Sequence, residues 1–307
     1  MFFLERKLMN WLIFFALSFI WGSSFVLMKE GLIALTAYQV AAIRILSAGA
    51  VLIPFAWKAI KEIPKEKLGL VILSGLLGSF FPAFLFCVAE TKIDSSLAGI
   101  LNALTTLFTI VIGIWFFELK GASKKIVGVS VGFAGLILLF TGNGNIDFKN
   151  VSYSSLILLA TIMYGINVNM VGRYMKGISS LNIATVAFIF LIVPCVFILY
   201  FTGYFSNEFN KQVWMSTTAS AVLGIGGTAI ASILFYMLIK RAGAVFSTMV
   251  TYGIPFVAVF WGLVLGEKIT MLQVVSLGII LLGVYLANSN KNPLSRKLDK
   301  REKGINN

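Results

Sequence analysis

Arg44 is the residue on which any chemistry of this chain would turn. It is the single charge in the apolar run 38 to 57, about seven residues from the nearer end. A guanidinium in that setting is costly against lipid and turns toward protein or a water-filled path. It could be the counter-ion of a substrate carboxylate or a gating partner of Glu30 or Glu90 at the same face. A structural pair that locks helix ends is equally open. Polar residues around it fall at helical spacing. Asn102, Thr105, Thr106 and Thr109 occupy i, i+3, i+4 and i+7, with Ser95 one heptad before Asn102. The run 244 to 265 repeats the pattern with Ser247, Thr251 and Pro255, reinforced by Thr248 and Tyr252. Ser18, Trp21 and Ser24 share the run 10 to 28, and Tyr164, Asn167 and Asn169 the run 153 to 172, with Asn169 rotated about 200° away from Asn167 toward a neighbour. Such a set can hold a ligand by hydrogen bonds, aromatic walls and one cation. The competing reading is interhelical Ser/Thr bonding, worth about 0.6 to 2 kcal/mol per bond.

Nothing in the set looks catalytic. There is no histidine, Cys87 and Cys195 lie far apart in apolar runs, and no nucleophile stands beside a base. The expectation is neither an enzyme nor a holder of metal or cofactor, with both cysteines buried as packing.

The elements that must position these residues follow from composition. In 307 residues, 59% are apolar and 12% charged, and the mean hydropathy is +0.94. A water-soluble domain carries roughly twice that charge. A bilayer core of about 30 Å takes on the order of 20 apolar residues per helix. Ten such runs can be read, at about 10–28, 38–57, 68–89, 95–117, 126–141, 153–172, 181–201, 214–238, 244–265 and 271–288. The fold class expected is an all-α polytopic membrane protein. Lys and Arg divide 19 to five between alternate connections, Arg44 apart, which puts both termini in the cytoplasm. The net charge of +13 is spread over alternate loops instead of one patch, which argues for a lipid bilayer as partner and against nucleic acid. The opening ten residues are too charged, and the run after them too long, for a removable signal peptide.

The second half echoes the first. Trp21-Gly22 aligns with Tyr164-Gly165 at an offset of 143, and the run from Ser95 to Glu118 aligns with Ala244 onward at an offset of 149. Asn102 then falls on Thr251, Thr106 on Pro255 and Glu118 on Glu267, while Gly135 meets Gly283 after one residue drops out. Five spans per unit is an odd number, so the second unit enters the membrane from the opposite side. Inverted repeats of this kind belong to alternating-access transporters with a site near the midplane. The expected organisation is a cytoplasmic N-terminus at 1–9, a first repeat at 10–141, a linker at 142–152, a second repeat at 153–288 and a basic cytoplasmic tail at 289–307.

The residues that carry the repeat also resemble a known family. FIWGSSFVLMKEGL (19–32), Arg44 within AAIRILSAG, LGIGGTAIASILFYMLIKRAGA (223–244), YGIPFVAVFWGLVLGEKIT (252–270), Gln273 and Gly283 resemble the drug/metabolite transporter superfamily, specifically its EamA-type ten-helix exporters with two EamA domains. The likeness runs from about 10 to 288. It implies a transporter in the cell membrane, the plasma or inner membrane, whose small-molecule substrates range over amino acids, other metabolites and drugs. Thr106 departs from the family, which usually has proline there, so a helix break is expected more firmly at Gly253 to Pro255.

The candidate cavity set is Trp21, Ser24, Arg44, Asn102, Thr106, Tyr164, Asn167, Thr251 and Tyr252. Glu30, Glu90, Glu118, Pro255 and Glu267 are read as gating or structural. Glu118 and Glu267 are expected mainly to cap the first turn of the following span. Gly128, Gly132 and Gly135, with Gly278 and Gly283, mark close helix contacts, either a homodimer seam through the fifth and tenth helices or internal packing. All twelve acidic residues sit in loops, tails or helix ends. That favours export of a small neutral or zwitterionic metabolite, amino acids first, by facilitated diffusion or exchange. Drug or amphiphile efflux, or a non-transporting membrane scaffold, are the alternatives.

Overall fold

The computed structural model describes residues 2–118, 122–141 and 148–288, all of them helical or in short turns. Ten helical units follow one another among the described residues. They are α1 (Phe2–Gly31), α2 (Ala37–Glu62), α3 (Lys65–Glu90), α4 (Ser95–Phe116), α5 (Ala122–Thr141), α6 (Phe148–Tyr174), α7 (Ser180–Phe201), α8 (Lys211–Ala242), α9 (Ala244–Val264) and α10 (Met271–Asn288). Eight are long and apolar enough to cross a membrane. The apolar parts of α5 and α10 are shorter, but the helices themselves run 20 and 18 residues, about 30 Å and 27 Å at 1.5 Å per residue. The chain is thus a polytopic helical membrane protein, with ten helical units among the described residues. The expected tail at 289–307 and most of the expected linker lie outside the described residues.

Capping explains where several helices start. Thr36 and Gln39 close a reciprocal capping box at the head of α2. Thr270 and Gln273 make the same exchange of bonds at the head of α10. Asn210 accepts from the Val213 amide before α8. Between α8 and α9 the turn is a single glycine, Gly243, at φ +87°, a backbone position that a side chain would strain.

Four of the units are irregular inside the membrane, at corresponding places in the two halves. A widened π turn interrupts α3 at Leu76–Phe80, and another interrupts α8 at Leu223–Ile230. In α4 the helix tightens at Ala103 and Leu104, whose amides reach back three residues to Ile100 and Leu101. In α9 the tightening is at Met249, again with three-residue bonds. Two expectations change here. Pro255 lies within a continuous segment, Val250–Val264, with the interruption before it at Met249. The first repeat breaks as well, although Thr106 stands where a proline was expected.

The inverted repeat is visible in the packing. α2 lies on α7, α4 on α9 and α5 on α10, each helix on its own counterpart. The remaining contacts occur in matched pairs, α1 on α8 and α9 as α6 lies on α3 and α4. Small residues allow the close approaches. A Cβ on Gly22 would strike Val257, and one on its counterpart Gly165 would press on the backbone at Phe108 and Thr109. The span at Ser95–Phe116 is 78% buried, more than any other, so α4 occupies the centre.

The glycines considered for a seam between copies are used within one chain. Gly283 faces Gly128 and Gly132, where an added Cβ would lie 2.6 Å from the Gly128 carbonyl oxygen, and Gly135 faces Ile280. Gly278 faces open space. Gly283→Ala is therefore expected to cost about 1–3 kcal/mol by overpacking, while Gly278→Ala is expected to be neutral or to gain up to about 1 kcal/mol from helix propensity. Thermal unfolding of the two variants in the same detergent checks the contrast.

Candidate functional site: a cavity between the repeats

An empty space of about 800 Å³, its mouth included, lies where the two repeats meet. Its walls are built from symmetry-related positions. Trp21 and Tyr164 both line it, as do Ser24 and Asn167 one turn further along α1 and α6. Gly78 and Gly227, in the π turns of α3 and α8, are counterparts at an offset of 149, and each lies under the polar side chain opposite. Asn167 covers Gly78, and a Cβ on Gly227 would come 2.6 Å from the Ser24 hydroxyl. Ser79 and Thr228, Phe86 and Phe235, and Asn102 and Thr251 complete the pairs.

The π turn of α8 shows how local backbone chemistry makes this wall. The Ala231 amide donates to the carbonyls of Gly226 and Thr228 and passes over that of Gly227. Trp21 Nε1 donates to the Gly227 carbonyl at 3.0 Å. A backbone acceptor in a membrane interior needs a partner, and here it comes from the other repeat.

Arg44 is half-buried at the cavity edge, and its Nε donates to Thr228 Oγ1 at 2.7 Å. The ion pairs found among the described residues, Lys58 with Glu62 and Arg173 with Glu118, do not involve it. Its positional counterpart is Ala187. Gly224 lies against the Arg44 backbone as Gly75 lies against Ala187. Toward the cytoplasmic side sits a second polar group, where Ser74 Oγ donates to Asn167 Oδ1 at 2.6 Å and lies 3.2 Å from Tyr236 Oη. Tyr236 and Ser232 line the cavity, whereas their counterparts Cys87 and Ala83 do not. The cavity is therefore symmetric in shape and polarised where the repeats differ.

Of the cavity residues expected from sequence, Trp21, Ser24, Arg44, Asn102, Tyr164, Asn167 and Thr251 share this space. Thr106 and Tyr252 stand outside it. Thr106 is fully buried between α4 and α9, where its hydroxyl donates to the Thr248 carbonyl at 2.8 Å, an acceptor shared with Thr251 Oγ1. Tyr252 is half-buried against the apolar core. Thr105, not Thr106, faces the cavity, with its hydroxyl 3.3 Å from Asn102 Oδ1. Asn169 faces α4 and donates to the Thr109 carbonyl. Sequence reading missed Thr228, Ser232, Phe86, Phe235 and Tyr236. The offset of 149, carried back into the third and eighth spans, pairs Gly78 with Gly227 and Phe86 with Phe235 and would have pointed to that wall.

The acidic residues lie at the helix ends. Glu267 does not cap the following span. Its two carboxylate oxygens accept from the amides of Ser95 and Ser96, at 2.9 and 3.0 Å, and so cap α4 of the other repeat. Gly266, at φ +79°, turns the chain to allow this. The counterpart Glu118 has φ +56° itself, is 85% exposed and pairs with Arg173 at 3.2 Å, while the head of α9 has no side-chain cap. Lys29 Nζ donates to the carbonyls of Glu90 and Ile93, both at 2.8 Å. Glu30 accepts from Gln212 at 3.4 Å, away from Arg44. At one face Glu267 thus caps a helix of the other repeat, and the corresponding cap at the other face is not made, the repeats being linked there by Glu118 with Arg173 and by Arg241 with Asn10.

Trp21→Phe keeps the aromatic wall and leaves the Gly227 carbonyl without its indole donor. It is expected to cost about 1–3 kcal/mol, read as a lower unfolding temperature than that of a Trp11→Phe control, whose indole faces outward.

Comparison with known proteins agrees with this architecture. The model of the EamA-like transporter family matches residues 9–141 and again 152–289. The chain is 28% identical over 292 residues to an uncharacterized inner membrane transporter of Escherichia coli (strain K12), YedA, covering 90% of each chain. Over 127 residues, 41% of each chain, it is 28% identical to a protein of the same organism named "Probable amino-acid metabolite efflux pump". A solved crystal structure superposes with a TM-score of 0.63 at 17% identity, covering 94% of this chain and 97% of that one, a likeness of fold. Both halves of the sequence, the inverted packing and the matches to each half lead to one assignment: the chain belongs to the EamA-like transporter family.

Proposed function

We propose that this transporter exports small metabolites, amino acids among them, across the plasma or inner membrane by alternating access. The observation that carries the reading is the cavity between inverted repeats, walled by aromatics and holding one cation. With Nε tied to Thr228, the terminal nitrogens of Arg44 form a fork suited to a carboxylate. Trp21, Tyr164, Phe86 and Phe235 offer apolar walls for the rest of a small molecule. The efflux role named for one relative supports the direction and class.

The helix-end glutamates support the alternation. Glu267 and Lys29 tie the outer face, whereas Glu118 stands away from α9 at the cytoplasmic face. In an inverted repeat the opposite state follows by exchanging the two halves' conformations. Glu118 would then cap the head of α9 and Glu267 would release α4.

Counterflow of labelled neutral amino acids in proteoliposomes, without a proton gradient, tests the substrate class. Saturable uptake is expected. Arg44→Ala is expected to raise the half-saturating concentration roughly ten- to a hundredfold, the worth of one charged hydrogen-bonded contact, and Asn102→Leu is expected to abolish uptake by filling the cavity. Absence of counterflow by folded protein, with uptake of amphiphilic dyes instead, would favour the amphiphile reading. For the alternation, Glu267→Ala is expected to increase labelling of an Asn102→Cys reporter by a membrane-impermeant maleimide from outside. Unchanged labelling would count against the tie.

A further inference from the structure

Glu90 is used by nothing described so far, and it is the most deeply enclosed carboxyl group among the described residues. It ends α3 one helical turn outward of the cavity-lining Phe86 and is 1% exposed. No charged group bonds its carboxylate oxygens, and the side chain that faces them is the Ser95 hydroxyl on the first turn of α4. The Ser96 hydroxyl beside it is buried and unpartnered. The charged groups that face it come from every neighbouring element. They are Lys29 on α1, Arg44 on α2 and Glu267 in the turn after α9. Cys87 lies one turn back on α3. The Lys29 ammonium is engaged by two backbone carbonyls, Arg44 by Thr228, and Glu267 by the α4 amides. No positive group is therefore left bonded to the Glu90 carboxyl.

A buried carboxylate without a bonded cation is far costlier than the neutral acid. An anion at Glu90 would also repel the Glu267 carboxylate that ties α9 to α4. From this juxtaposition we propose that Glu90 is a proton-binding site that operates the outer gate: protonated, it lets Glu267 hold the α4 amides and keeps the outer face shut; ionised, it requires water and drives that face open. The proposal rests on the alternating-access reading above and adds a regulator to it. The direction follows from linkage. The closed state binds the proton more tightly, so acid outside favours closure and rising external pH favours opening, by up to about tenfold per pH unit for one linked proton.

The test reads conformation and does not need a substrate. Single-cysteine reporters are placed in oriented proteoliposomes, with Cys87 and Cys195 replaced by Ala. Ser96→Cys lies at the closed gate, and Glu208→Cys, exposed on the outer loop, corrects for the pH dependence of the thiol reaction itself. Labelling with an impermeant maleimide is followed as the outside pH is raised from about 5 to about 9, the range that buried glutamates can span. The corrected labelling of Ser96→Cys is expected to rise at least tenfold with Glu90 present and to stay low and flat with Glu90→Gln, the neutral mimic. Glu90→Asp, which keeps a titrating group, is expected to retain a pH-dependent rise and serves if Glu90→Gln does not fold. A rise unaffected by Glu90→Gln, or no rise with Glu90 present, overturns the proposal. A Thr251→Cys reporter separates this from failure of the transport reading. Labelling of that residue from the cytoplasmic side with a flat Ser96→Cys profile rejects the latch alone, and no labelling at either position from either side rejects both.

Discussion

Lipid offers no hydrogen bonds, so each backbone carbonyl that a helix releases inside the membrane must find a donor from the protein. The rest of this structure depends on how that demand is met. The turns at which α3, α4, α8 and α9 depart from regular helix are the places where a binding space can exist, since unbroken helices would pack closed. In α8 and α9 the donors come across the boundary between halves: Trp21 to the Gly227 carbonyl and Thr106 to the Thr248 carbonyl. The bonds that make the cavity permissible are thus the bonds that join the repeats. A wall that opened independently of that boundary would strand its own backbone.

The second organising fact is that the two repeats share a shape but not a chemistry. Serine and asparagine cover the equivalent glycines, tryptophan and tyrosine stand at equivalent walls, and two phenylalanines line the space at equivalent positions. Symmetry of this sort is what the proposed alternation needs, since exchanging the two halves' conformations gives the second state. It provides no selectivity, because a symmetric cavity treats both ends of a ligand alike. On the proposed reading selectivity comes from the mismatched positions, Arg44 against Ala187 and Tyr236 against Cys87, which meet Thr228 and Ser74.

Much of this was legible in the sequence, because hydropathy and the alternation of basic loops are imposed by the bilayer itself. The ten spans, their inverted halves and the pairing of Trp21 with Tyr164 follow from spacing alone. The side on which Thr106 falls does not, since one tightened turn at Ala103 and Leu104 rotates the helix and brings Thr105 to the cavity in its place. Nor could the partner of Glu267 be read, because a left-handed Gly266 sends that carboxylate to the other repeat when the helix register alone points to the next span. The absence of mid-span carboxylates is true of the sequence as a line of letters. Glu90, at a helix end, is nonetheless enclosed, because depth along a helix and burial within a bundle are different coordinates.

The seam between α5 and α10 also sets an order of events during synthesis. Gly135 and the Ile280 it packs against lie 145 residues apart in the chain. At about 5–20 residues per second, roughly 7 to 30 seconds pass between the emergence of one and the other. Through that interval the surface of α5 that packs on α10, Gly128 and Gly135 included, has no α10 to meet. A helix of the second half completes the packing of the first, so the first repeat stays unfinished until α10 has been made.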